Sequence, residues 1–266
     1  MLLSVPVRRA SLWLECVFHV LAHVETRGLA ASCHNRAWIE HAAMSLGLAS
    51  RRPLGEDARV IAAAANTHDA LASVQALAWV FESAEAARTV ADRELTALEA
   101  DAVASIHALA VARSAGPVAE VLRAAAELEL PLLDRIAGVS AAQLAGIGAE
   151  LDAVIPAAPA LPRFEVAAAR PLGLRGRTLG ASIVVGVPGL GCPDAEHAAW
   201  QAAHEATVAE LATLGGDGFL RLERRAIGLL RSRARAAGLD AAHARWLARL
   251  DLSALGPIPD VDHTAD

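Results

Sequence analysis

"RFEVAAARPLGLRGRTLGASIVVGVP", residues 163–188, is the stretch of this 266-residue chain that departs most clearly from a helical pattern. "FEVAAARPL" and "ASIVVGVP" are apolar runs of strand length, and "GLRGRTLG" between them is a glycine-rich turn. Together they predict one β-hairpin near the start of the C-terminal third. Everything around that stretch is rich in Ala and Leu and poor in aromatic residues, which make up 3% of the chain. Such a composition favours closely packed helices over a β-sandwich. The expected fold class is therefore mainly α, a helical domain carrying one β-hairpin.

Working outward, "IPAAPALPR" (155–163) is a proline-punctuated connection. Upstream, helices are expected from Ser11 to about Glu25, ended by Gly28, and from an Asn35 cap to about Leu48. "RRPLGED" reads as a loop. Ala-rich helical patterns follow over about 57–86 and 89–113, with a break at "AGP" (115–117) and shorter helices over 117–129 and 140–154. Downstream, Asp194 can cap a helix to about Leu214, Asp217 can start another to about Ala237, and Asp240 a short last one. The expected organisation is a helical body (1–155), a hairpin with helices on the same core (163–252), and a flexible tail (253–266). No fixed-period repeat is visible.

Composition removes whole classes of chemistry. All 24 basic residues are Arg, and there is neither Lys nor Tyr. Lysine Schiff bases, a Walker-type phosphate lysine and Tyr/Lys proton relays are excluded. A net charge of −6 argues against a general nucleic-acid binder, so no nucleic-acid partner is expected. Cys16, Cys33 and Cys192 form no CxxC pair, which points to a reducing, cytoplasmic setting. "VRRASLWL" has the twin arginine of an export signal, but Glu15, His19 and His23 interrupt the apolar run that should follow. The same interruptions, and others like them elsewhere, leave no expected membrane span.

The remaining candidate chemistry lies on two apolar helices. "ECVFHVLAHVE" (15–25) places Glu15, Cys16, His19 and His23 within about a third of the helix circumference. Two His four residues apart can reach one metal ion. The same stripe can also be a buried Glu15–His19 hydrogen-bonded pair with His23 satisfied by a carbonyl. In "EHAAWQAAHEATVAE" (196–210), His197, Gln201, His204 and Val208 share a face, and Glu205 lies at its edge. His197 and His204 are two turns apart, about 10 Å along the axis, too far to share a metal. His204 is the better ligand, because the neighbouring Glu205 can act on metal-bound water.

A strand, a short Gly/Pro loop and a helix containing His-Glu resemble the layout of zincin metallopeptidases of the gluzincin type, over residues 163–214. The resemblance implies that "ASIVVGVP" is the edge strand that aligns a peptide, with His204 the first ligand and Glu205 the general base of HExxH. Val208 stands where the second His ligand of that motif belongs, and the later Glu ligand has no assigned counterpart. His19 and His23 could complete the set: three His ligands, Glu205 as base, and a fourth position for water, the open arrangement of catalytic zinc.

The functional expectation is a zinc-dependent, peptidase-like hydrolase acting on a peptide or small molecule. The alternative is a non-catalytic helical scaffold or protein-interaction module, in which the buried histidines are structural. Weaker motifs add little. "VPGLGCPD" lacks the third Gly of a dinucleotide fingerprint and any Walker Lys. "RLERRAIGLLRSRARAAG" reads as a solvated basic helix face. Cys33–His34 lacks an orienting third group. His41, His68, His107, His243 and His263 stand singly and read as surface or core residues.

Overall fold

The structure is a computed structural model that describes residues 4–22, 35–46, 139–213, 219–250, 252, 255 and 258. The helices expected between 57 and 129, His23, and the Cys33–His34 pair lie outside these residues, as does nearly all of the tail. The chain divides into two compact units, one of Met1–Arg9 with Val139–Asp266 and one of Ala10–Gly138. Among the described residues helices dominate, and no helix is long and apolar enough to cross a membrane.

In the Ala10–Gly138 unit the described elements are α1 (Leu12–Ala22) and α2 (Arg36–Leu46). Ser11 caps the first, its Oγ accepting from Leu14 N at 3.2 Å, and Asn35 caps the second, its Oδ1 accepting from Trp38 N at 3.1 Å. Both caps satisfy backbone N–H groups that a helix start leaves without partners.

The other unit is a small mixed sheet packed with helices. Its elements in chain order are β1 (Val7–Arg9), α3 (Ala141–Val154), a 3₁₀ turn (Leu161–Arg163) and β2 (Glu165–Ala169). They continue with β3 (Arg177–Leu179), β4 (Ser182–Gly186), α4 (Ala195–Ala212), α5 (Phe219–Ala236) and α6 (Asp240–Leu247). A reciprocal capping box starts α3: Gln143 N donates to Ser140 Oγ at 3.2 Å, and Ser140 N to Gln143 Oε1 at 2.9 Å. Gln143 Nε2 also donates to Pro188 O at 2.7 Å, tying this helix start to the loop after β4.

The sheet corrects the single-hairpin expectation. Its strand order is β1-β2-β4-β3. The two runs read as hairpin partners, β2 and β4, lie side by side but parallel, with Val166 opposite Ile183. After β2 the chain runs through residues 170–176 to the outer side of the sheet and comes back down as β3. It then turns at Gly180, whose φ of 62° suits a tight hairpin, and re-enters between them as β4. The physical reason is burial: Val166–Ala169 and Ile183–Val185 are fully buried, as fits interior parallel strands rather than a hairpin with one wet face. "ASIVVGVP" is thus an interior strand, and the two edges belong to β3 and to β1, near the N-terminus. The fourth strand, β1, went unread in the sequence and pairs in parallel with β2, Val7 opposite Val166.

Helix α4 is the central pillar of this unit, packed on α3, α5, α6 and the sheet, and its residues 197–207 are all buried. Asp194 caps it as expected, Oδ1 accepting from His197 N at 3.0 Å, and also holds Arg249 with both oxygens. Asp194→Ala is expected to cost about 1 kcal/mol of stability, read from the urea midpoint; an unchanged midpoint would remove the cap from the argument.

Candidate functional site

An Ala-rich helix can be surrounded on all sides because its small side chains admit neighbours closely, and α4 carries its polar residues into that enclosed setting. His197, Gln201, His204 and Glu205 are 3%, 1%, 1% and 8% exposed. A buried polar group must find partners or forfeit about 1–3 kcal/mol, so the partners define what the site can do.

His197 Nε2 donates to Leu174 O at 2.9 Å, which fixes its tautomer, and burial chiefly holds its pKa below the ordinary value. Gln201 Nε2 donates to Glu205 Oε1 at 3.1 Å from one turn earlier. Thr178 of the edge strand donates to Glu205 Oε2 at 3.3 Å. Gly176 lets the 170–176 segment lie flat here: a Cβ on it would sit 2.9 Å from Glu205 Cγ and 3.1 Å from Val184 O.

His204 faces the next helix. Its Nε2 donates to Glu223 Oε2 at 3.0 Å, and Arg175 Nη1 approaches the same oxygen at 3.8 Å. Burial pushes the Glu223 carboxyl up, but the charge and hydrogen bond of His204, with Arg175 and Arg177 beyond, outweigh it and hold the pKa below the ordinary value. Glu223 is therefore an ionised, buried acceptor clasped by residues from α4 and the 170–177 segment.

Of the expected site residues, the structure brings His204 and Glu205 into one buried cluster. His19 belongs to the Ala10–Gly138 unit, where it is fully buried with its ring edge-on to Trp38 at 5.2 Å. His23 lies outside the described residues. The sequence reading missed Glu223 and Arg175. A signal for Glu223 was present: residues 223, 227, 230 and 234 recur at helical spacing and are all buried, so the acid sits on the inward stripe of a basic helix. Of the arginines read as a solvated face, Arg221 and Arg235 are exposed and the others half-buried, with Arg233 in a two-pronged pair with Glu210.

Does this donor set fit a catalytic zinc? Two ligands of a tetrahedral ion with bonds of about 2.0–2.1 Å stand roughly 3.3 Å apart. His204 Nε2 and Glu223 Oε2 come near that spacing, so the pair could form one edge of such a site. A third corner is missing among the described residues. Val208 occupies the second-His position, and among the described residues no three His, Cys, Asp or Glu side chains converge as a metal set. A positive guanidinium also stands beside Glu223. The described residues do not fit a catalytic zinc.

Comparison with protein-family models, curated proteins and solved structures found no match.

Proposed function

We propose that the unit of Met1–Arg9 and Val139–Asp266 is a non-catalytic, protein-binding module whose buried histidines are structural. The observation that carries this reading is that both carboxylates of the polar cluster are buried and engaged by other side chains. Glu223 is taken up by His204 and Arg175, and each oxygen of Glu205 accepts from a neighbour, Gln201 or Thr178. A general base must reach the proton of a water or substrate; here the partners of both carboxylates are protein groups, and Glu205 and Glu223 are 8% and 6% exposed.

The second reading is the zinc-dependent, peptidase-like hydrolase, with His19, His23 and His204 as ligands and Glu205 as base. The near-ligand spacing of His204 and Glu223 favours it, as does the position of Glu205 beneath the edge strand β3.

Elemental analysis of untagged protein separates the two. The binding-module reading expects far less than one zinc per chain and a melting temperature that chelator leaves unchanged. One tightly held zinc per chain, with a chelator-dependent fall in melting temperature, would overturn it. In that event His204→Ala and His23→Ala should each lose metal, and Glu205→Gln should keep the metal while abolishing hydrolysis.

A further inference from the structure

The last helix of the unit carries a device that neither reading requires. Helix α6 has 8 residues and no side-chain cap, too short to persist as a helix without tertiary support. It is held from inside by His243 and Trp246, 2% and 1% exposed. The His243 ring stands edge-on to Trp200 of α4, with centroids 5.3 Å apart. Trp246 lies over His204 at 5.5 Å and beside His243 at 5.4 Å, so α6 roofs the His204 end of the polar cluster. From outside, Arg245 pairs with Glu196 and, just beyond the helix, Arg249 with Asp194, both in exposed positions.

The inner contacts need a neutral imidazole. His243 Nε2 has no hydrogen-bond partner among the described residues. The charged or titratable groups facing it are Arg231 from α5 and His204 from α4, and both disfavour a charge on the His243 ring. Burial first, then these two neighbours, hold the His243 pKa down to about 4. The indole faces of Trp200 and Trp246 can offset part of that opposition through cation–π attraction. Of the outer pairs, Arg249–Asp194 lies beyond the helix and persists into acid, because the Arg249 hydrogen bond holds the Asp194 carboxyl below the ordinary range; it tethers the chain after α6 when the helix itself comes away.

We infer that α6 is an acid-released cover: protonation of His243 lifts it from α4 and α5 and uncovers Trp200 and His204 while the sheet stays folded. The claim rests on the packing of α6 and on the reading in which His204 is structural.

Amide exchange followed by mass spectrometry on the full chain between about pH 6.5 and 3.5, corrected for intrinsic rates, tests this release. Peptides covering 240–247 should lose protection about one pH unit above those covering β4. His243→Phe keeps an aromatic ring that cannot take a proton and should move the opening down by about one unit. Arg231→Gln removes a facing cation and should move it up, which keeps the test decisive if the phenylalanine variant does not fold. Simultaneous loss of protection in both segments, or an opening pH unchanged in whichever variant folds, would overturn the proposal.

Discussion

Replacing Glu223 by alanine should lower the stability of its unit by about 3–5 kcal/mol, the cost of breaking a buried ion pair by removing one partner. Glu223 is 6% exposed, and its loss takes from the His204 ring its hydrogen-bond acceptor and from Arg175 a nearby carboxylate, where water cannot replace it. Glu223→Gln keeps the shape and one acceptor oxygen, so it should cost less, about 1.5–3 kcal/mol for a hydrogen bond to a charged group. The instructive variant is the double substitution of Glu223→Leu with Arg175→Met. A buried ion pair often contributes little beyond what apolar packing would, so removing both charges should recover much of what the alanine loses. Urea denaturation gives all three values. A loss below about 1 kcal/mol for Glu223→Ala would mean that the pair is solvated rather than buried.

Acid should destabilise the same unit well before its surface carboxylates are all protonated. His243 has an ordinary value of 6.5 and a folded value of about 4. Above pH 6.5 both folded and unfolded chains carry the neutral ring, and the native packing is at full strength. As pH falls below 6.5 the unfolded chain takes up a proton that the folded protein refuses, and stability declines until the folded state also titrates near 4. At about 1.36 kcal/mol per pH unit, that window amounts to at most roughly 3 kcal/mol. Glu223 adds to the effect, since its lowered pKa gives stability that is lost as pH falls through the folded value. His243→Phe should flatten the upper part of this decline, from pH 6.5 to about 5, in stability measured against urea at each pH. A parent protein equally stable at pH 6.5 and 4.5 would refute the buried neutral imidazole.

Helix positions were legible because their determinants are local. Ser140, Asp194 and Asn35 each act on an N–H within three residues, and the expected helices at 140–154 and 194–214 are observed as Ala141–Val154 and Ala195–Ala212. The short last helix was placed correctly at its start, although Asp240 is its first residue and Leu239 takes the cap position. His204 and Glu205 were legible as polar residues on an otherwise apolar helix, and both are buried.

What the sequence by itself determined about this protein is its helical character, its caps, its strand-forming segments and the chemistry closed to a chain without Lys or Tyr. Only the tertiary structure decided how the strands are ordered and whom the polar side chains meet. An apolar run such as "SIVVG" satisfies a hairpin and a parallel pair equally well, because alternation vanishes when both faces are covered. Strand β1 has three residues and no periodicity to read, and its partner β2 lies beyond the whole Ala10–Gly138 unit in the sequence. Likewise Glu223, Arg175 and His204 come from three separate segments. Local propensity acts over a few residues, whereas a buried charge is stabilised by whatever the fold places within about 4 Å of it.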